Sequence, residues 1–416
     1  MNKHGRNPVD GNIHGGWHML LGLFPVLLFF VGTGQADAQQ PLSSVELKAL
    51  PPIDNSDLVQ RDIDVALAYP DDPIPMQTAE PVEVDYNTVN DGTWEVLPSG
   101  DHLWRLRIVS PGAYFAAVTL GAFDPPSSAE VRVYSPDGGY ERGPYTQADV
   151  RASGRLWVPK VGGEEIVVEA RVSASQLDDL YFEVAFVHHG YRPIIPTPES
   201  PCWPHCVGSL GCNIDVACME GDPWADPGEE IPSLLPSGAD WLAVKRSVGQ
   251  LDIGNGLCNC GGTLVNNTSE DGKLLFFTAS HCFRECEERG LLLTDGLESV
   301  QVYWNFENST CRDYTTSTEP EMGDGNVDWV TGPGATRLME WKHHVDPLEQ
   351  YLNTYDFILL ELLSENHDVD CFAAAFAGWD RSQVNATAVV GIHHPKAAEK
   401  RVSFELGGSD HNGSYM

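Results

Sequence analysis

The sequence predicts an all-β protein built in two parts. Three observations lead there: short runs that alternate apolar and polar residues, the confinement of every cysteine to residues 202–371, and a proline-rich joint between the cysteine-free and cysteine-bearing halves. At 416 residues the chain exceeds one ordinary domain. Its composition, 42% hydrophobic with Trp 11, Tyr 13 and Phe 15, supplies enough apolar surface to fill more than one core.

The N-terminus comes first. Lys3 and Arg6 precede an apolar run over residues 19–31, and Ala36-Asp37-Ala38 follows. A basic start, a short hydrophobic stretch and a small-x-small site predict a secretory signal peptide at residues 1–38. The run is short for a bilayer span, and no later stretch is long and apolar enough for one. No stable membrane span is therefore expected after signal removal. Residues 39–92 are rich in Pro and Asp and show little periodicity, which predicts an extended leader with at most one short helix.

Residues 93–195 change character. His102-Leu103-Trp104-Arg105-Leu106-Arg107-Ile108-Val109, Ala113-Tyr114-Phe115-Ala116-Ala117-Val118, Val131-Arg132-Val133-Tyr134 and Tyr181-Phe182-Glu183-Val184-Ala185-Phe186-Val187 read as strands. Turn signals such as Ser135-Pro136-Asp137-Gly138-Gly139 separate them, so an antiparallel β-sandwich is expected. His188-His189 ends the last of these runs and is expected at the surface. Residues 196–210, with Pro196, Pro198, Pro201 and Pro204, form the joint, an exposed linker.

A second all-β pattern occupies residues 211–416. It contains Gly262-Thr263-Leu264-Val265, Leu274-Leu275-Phe276-Phe277, Val300-Gln301-Val302-Tyr303-Trp304, Phe357-Ile358-Leu359-Leu360 and Ala388-Val389-Val390. The ten cysteines, an even and clustered set in an exported chain, read as disulfides. The formal net charge of −35 excludes nucleic-acid binding by general electrostatics, because phosphates would be repelled. The charge favours solubility and, secondarily, the steering of basic partners.

The strongest local signal is Phe276-Phe277-Thr278-Ala279-Ser280-His281-Cys282. A buried strand runs straight into a histidine beside a cysteine. A general base needs one rotamer and one tautomer, and a disulfide at the next residue would hold the backbone there. This stretch resembles the Thr-Ala-x-His-Cys block of the trypsin-like serine peptidases, and the surrounding chain is most similar to bacterial lysyl endopeptidases. Further blocks carry the resemblance in order. They are Gly211-Cys212-Asn213-Ile214-Asp215-Val216-Ala217-Cys218, Cys260-Gly261-Gly262-Thr263-Leu264-Val265-Asn266-Asn267-Thr268, Val302-Tyr303-Trp304-Asn305-Phe306 and Asn308-Ser309-Thr310-Cys311-Arg312. After these come Tyr355-Asp356-Phe357-Ile358-Leu359-Leu360-Glu361-Leu362, Ala377-Gly378-Trp379-Asp380-Arg381, Ile392-His393-His394-Pro395 and Ala398-Glu399-Lys400-Arg401-Val402-Ser403. Their collinearity is far more specific than any single motif. The sandwich is similar, more weakly, to the pro-region of relatives.

The resemblance implies a trypsin-like domain of two β-barrels, the second incomplete here, and peptide-bond hydrolysis with protein or peptide substrates and no cofactor. It implies His281 as the base and Asp356 as the carboxylate that orients it. It also implies the disulfides Cys260–Cys282 and Cys218–Cys311, and a partner for Cys212 further downstream. Cys258 and Cys286 flank the first pair and could bridge each other; Cys202, Cys206 and Cys371 have no counterpart. Cleavage after lysine is implied by the resemblance alone. The family's nucleophile lies in a Gly-x-Ser-Gly-type loop, which these 416 residues do not contain. Two readings follow: a secreted serine endopeptidase precursor represented by its front part and inactive as it stands, or a pseudo-peptidase acting as an extracellular binding module. No Lys or Arg lies between Arg192 and Cys212, and Arg192 precedes Pro193, so self-processing at lysine near the joint is not expected.

A metal site is the rival use of the same residue types. Cys202, His205 and Cys206, the pair His343-His344 and the pair His393-His394 all lack the Cys-x2-Cys spacing of a structural zinc site, and exported thiols are oxidised, so no metal is expected. Glu365, Asp368 and Asp370 are expected in a solvated loop.

Overall fold

The computed structural model describes residues 39–68, 74–193, 214–219, 244–288, 296–311, 324–325, 330–341, 356–363, 374–378 and 389–405. The expected signal peptide, the joint at 196–210 and the loop with Glu365, Asp368 and Asp370 lie outside them. So do Cys202, His205, Cys206, Cys212, His343, His344 and Cys371.

The first half is a sandwich of two sheets. Its strands are β1 (Leu47–Ala49), β2 (Ala79–Asn87), β3 (Thr93–Val96), β4 (His102–Val109), β5 (Phe115–Gly121), β6 (Glu130–Tyr134), β7 (Glu141–Tyr145), β8 (Leu156–Gly162), β9 (Glu165–Val172) and β10 (Glu183–Gly190). One sheet runs β1-β4-β9-β6-β7, with β3 also on β4; the other runs β2-β10-β5-β8. Leu106, Val118, Val131, Val168 and Val184 fill the space between them, all buried. Each such side chain contributes roughly 1.5–3 kcal/mol when removed from water. Trp104 anchors the centre: its indole N–H donates to the Asp91 carbonyl at 2.7 Å and its ring meets Phe182 edge-on at 5.5 Å. Gly92 (φ +82°) passes so close that a Cβ there would lie 2.6 Å from Cε2 of that indole.

Residues 39–92 differ from the extended leader expected of them. β1 pairs in parallel with β4 and β2 joins the second sheet beside β10, while between them runs α1 (Asn55–Ala68), a helix in the stretch where one was expected. The physical reason is an alternation hidden among acidic residues and Pro81: Val82, Val84 and Tyr86 point to one face and pack on the sandwich core. His188 and His189 are also not at the surface, being 1% and 0% exposed. His188 Nε2 meets Thr119 Oγ1 at 2.9 Å, and His189 lies between Ser110 Oγ and Asn55 Oδ1 at 2.8 and 2.7 Å. Partners on both nitrogens of His189, and the Thr119 hydroxyl on Nε2 of His188, offset the burial of these rings.

The second half supplies β11 (Ile214–Asp215), β12 (Val248–Ile253), β13 (Cys258–Val265), β14 (Leu275–Thr278), helix α2 (His281–Glu288), β15 (Gln301–Tyr303), β16 (Val330–Thr331), β17 (Ala335–Trp341), β18 (Phe357–Leu362), β19 (Val389–His393) and β20 (Arg401–Glu405). Seven strands form one sheet in the order β16-β15-β12-β13-β14-β18-β17, around Leu251, Leu264, Phe276, Trp304 and Leu360. A second sheet, β11-β20-β19, is what the described residues show of the other barrel, which does not close. The all-β architecture, a sandwich followed by two barrels with the second incomplete, is the one expected.

The sandwich docks on the first barrel through polar contacts. Asn255 Nδ2 donates to the Val118 carbonyl and Gln301 Nε2 to that of Trp157, each at 3.2 Å. Lys160 Nζ lies 2.8 Å from Asp252 Oδ2, with both side chains nearly fully buried. The same ammonium sits over the rings of Phe115 and Tyr303, at 5.1 and 5.2 Å.

Candidate active site

Antiparallel pairing places the site. β14 and β18 run in opposite directions, Thr278 opposite Ile358, so the end of β14 and the start of β18 meet at one edge of the barrel. His281 opens α2 just after β14, and Asp356 immediately precedes β18. Asp356 Oδ2 lies 2.5 Å from His281 Nδ1, and its other oxygen accepts the backbone N–H of His281 at 2.9 Å. The carboxylate thus grips both the ring and the main chain of the histidine. An acceptor at Nδ1 assigns the proton to that nitrogen and leaves the lone pair on Nε2. Such an imidazole can accept a proton at Nε2 while the aspartate stabilises the resulting cation.

Two disulfides fasten this helix to the barrel. Cys282 and Cys286 are one turn apart on α2, and Cys258 and Cys260 are two residues apart on β13, so both pairs project from one face. Cys260 joins Cys282 with Cα atoms 6.2 Å apart, and Cys258 joins Cys286 at 6.4 Å. Cys218 joins Cys311 at 4.4 Å. The sequence left Cys258 and Cys286 open; the helix and strand periods are the signal that links them. Cys260, His281 and Cys282 are close enough to suggest a metal cluster. Both sulfurs are consumed in the disulfide, so these residues offer one imidazole and do not fit a metal centre.

Around this pair, Thr278 Oγ1 donates to the Gly261 carbonyl at 2.7 Å and Ser280 Oγ to Glu340 Oε1 at 2.8 Å, fixing the turn into α2. His394 stacks flat on Phe306 with centroids 6.0 Å apart, and its Nδ1–H donates to the Ala398 carbonyl at 3.0 Å. Burial pushes its pKa down to about 3, helped by the nearby Lys400 ammonium. His394 is therefore a neutral, packed ring. His393 is also shifted down by burial. Lys400 is buried too, and desolvation lowers its pKa to about 8 against the opposing pull of Glu307. A cavity of about 670 Å³ opens over His281. One wall is barrel, including Asn259, Cys260 and His281; the other is α1 and residues 74–77 of the sandwich half. This second wall is not legible in the sequence, because nothing local in α1 or residues 74–77 points to a barrel about two hundred residues away.

Comparison with known proteins bears on the same two halves. The model of the lysyl endopeptidase N-terminal domain matches residues 49–190, and that of the lysyl endopeptidase C-terminal domain matches residues 207–414. The chain belongs to the lysyl endopeptidase family of trypsin-like serine peptidases. Lysyl endopeptidase of Pseudomonas aeruginosa is 25% identical to it over 341 residues. That match covers 79% of this chain and 62% of the relative, so the chain spans less than two thirds of the relative's length. Family and disulfides together fit an extracytoplasmic peptidase-like protein. Among the described residues no helix is long and apolar enough to cross a membrane.

Proposed function

We propose that this chain is the front part of a secreted or periplasmic serine endopeptidase precursor, with residues 1–38 as signal, the sandwich as pro-region and residues 211–416 as peptidase. His281 is the general base and Asp356 its orienting carboxylate. The single observation that carries the reading is the Asp356 carboxylate bound at once to Nδ1 and to the backbone N–H of His281. A surface ion pair would need only the ring; the second bond fixes where the ring points.

The chemistry balances as acyl transfer. A serine hydroxyl gives its proton to His281 Nε2 as its oxygen attacks the peptide carbonyl. The imidazolium then returns that proton to the departing amine, and water repeats the cycle on the acyl-enzyme. The serine is assigned to sequence outside these 416 residues, and so is the floor of the pocket that selects the cleaved residue. Lysine at the cleaved bond follows from the family and from the printed name of the Pseudomonas aeruginosa relative. The purified 416-residue chain is expected to leave casein intact and to resist labelling by an organophosphonate. A longer form carrying a Gly-x-Ser-Gly loop is expected to hydrolyse casein, cutting after lysine, and to be labelled by the organophosphonate. Turnover and labelling by the 416-residue chain itself would defeat the assignment of the nucleophile.

A further inference from the structure

We propose that residues 74–78, Ile-Pro-Met-Gln-Thr, are a tethered inhibitor: an extended strap of the chain's own pro-region that covers the cleft beside His281. The proposal rests on the reading of His281 as the base of an endopeptidase.

The strap pairs antiparallel with the barrel at Met76 and Asn259. The Asn259 backbone N–H donates to the Met76 carbonyl at 2.9 Å, and its side-chain amide donates to the same carbonyl at 2.9 Å. The Thr78 N–H donates to the Gly256 carbonyl at 2.7 Å. Asn259 immediately precedes Cys260, whose disulfide partner Cys282 immediately follows His281. The strap therefore runs along the strand that is stapled to the base, and Ile74, Pro75, Met76 and Gln77 line the cavity over it.

Its other edge is held by the sandwich. The Gln77 carbonyl accepts from Tyr191 Oη and Arg192 Nε, each at 3.1 Å, and the Tyr191 N–H donates to the Thr78 carbonyl at 3.1 Å. Asp62 of α1 binds Tyr191 Oη at 2.6 Å and Arg192 Nη2 at 2.9 Å, tying the helix wall to the same network. A strap bonded on both edges is held in place with little entropy left to lose.

An extended peptide recognised by main-chain pairing to a strand edge is a general mode of peptide capture. The strap already pairs with the strand edge at Asn259 and walls the cavity over His281, so a substrate chain pairing at that edge and the strap exclude one another. The strap contains no lysine, and within residues 39–193 the lysines are Lys48 and Lys160. Lys160 is buried against Asp252, and Lys48 is paired with Glu46 and Asp91 at 2.9 and 2.7 Å. A lysine-directed site would leave such a ligand uncut.

The test reads access to His281 in the full 416-residue chain, by its rate of modification with diethyl pyrocarbonate followed by peptide mass spectrometry. Replacing residues 74–78 with a Gly-Ser linker should raise that rate at least ten-fold. Asn259→Ala, which removes the side-chain bond to Met76, should raise it about three-fold. Free Ile-Pro-Met-Gln-Thr at millimolar concentration should return the linker variant toward the parent rate. Rates within two-fold of the parent in both variants, with circular dichroism unchanged, would overturn the proposal, as would a fast variant that the peptide fails to protect. If the linker variant does not fold, Asn259→Ala decides alone. Failure of His281 as a base would instead appear as retained peptidase activity of His281→Ala in a longer form, leaving the access measurement untouched.

Discussion

A single carboxylate at Asp356 decides what the imidazole of His281 can do. Bound at Nδ1, the ring keeps its lone pair on Nε2; with an amide in its place, the partner can donate and the other tautomer is favoured. In a longer form with the serine loop, Asp356→Asn is expected to lower kcat by about 10⁴. His281→Ala is expected to cost at least as much, and the double variant little more than the worse single one, because in the proposed mechanism both residues serve one proton transfer. Steady-state kinetics on the three variants checks this, and additivity of the logarithmic losses would show that the base lies elsewhere. His188 offers a second residue-scale expectation. Burial against Trp157 and Phe186 pushes its pKa down to about 3, below the ordinary 6.5. As pH falls through 6.5 the unfolded chain takes up a proton that the folded one refuses until about 3. The stability from this group is thus complete above pH 6.5 and is lost as pH falls toward 3. Urea unfolding of His188→Phe between these values should show a pH dependence shallower by about one proton; an unchanged slope would mean that the ring is already charged in the fold.

At the scale of elements, α2 is eight residues long and could not stand alone in water. Its two disulfides to β13 and the Asp356 carboxylate at its first N–H hold it. Removing the Cys260–Cys282 bridge by a paired Cys→Ala change, a loop separation of 22 residues, is expected to cost about 3 kcal/mol of stability, seen as a lower urea midpoint. A midpoint unchanged from the parent would show that Cys258–Cys286 suffices. The elements differ in how plainly the sequence announces them. β4 is legible because Trp104, Leu106 and Ile108 alternate with Arg105 and Arg107, β18 because Phe357-Ile358-Leu359-Leu360 is an unbroken apolar run, and His281 because a buried strand, a histidine and a cysteine follow one another. β2 was obscured since Glu80, Pro81, Glu83 and Asp85 mask the Val82, Val84, Tyr86 face, and the packing that overrides their composition is long-range. The Cys258–Cys286 bridge needed both periods at once, a helix on one side and a strand on the other. The strap at residues 74–78 was not legible at all. Its barrel partners lie about 180 residues away, and it pairs mostly through its main chain; the Thr78 hydroxyl, which accepts from Asn259 Nδ2 at 3.2 Å, is a contact that no local pattern announces.

At the scale of the whole molecule, two β domains of unlike build are held together by polar groups that water cannot reach. Lys160 of β8 and Asp252 of β12 are 6% and 0% exposed, and Asp252 also accepts the Gly256 N–H through its other oxygen at 2.6 Å. Gly256 in turn receives Thr78, so the ion pair and the strap share one turn of the barrel. A buried pair of this kind adds little net stability against an apolar replacement, yet removing one partner strands the other charge. Lys160→Met is therefore expected to cost about 3–5 kcal/mol, through an uncompensated Asp252 carboxylate between the domains. Asp252→Asn strands the ammonium instead and should cost a similar amount. In the double variant neither charge remains, so its loss should be smaller than the sum of the two single losses by about 2 kcal/mol or more. Urea unfolding of the full chain, followed by fluorescence and by circular dichroism together, supplies the numbers. It also supplies a sharper sign. With the pair intact, both probes should report one transition; with Lys160→Met, the sandwich and the barrel should come apart first, and the two probes should separate. Additive losses, or a single shared transition in every variant, would mean that Lys160 and Asp252 are bystanders. The coupling between the halves would then rest on their other contacts, among them those from Asn255 to Val118, from Gln301 to Trp157 and from the strap to Gly256 and Asn259.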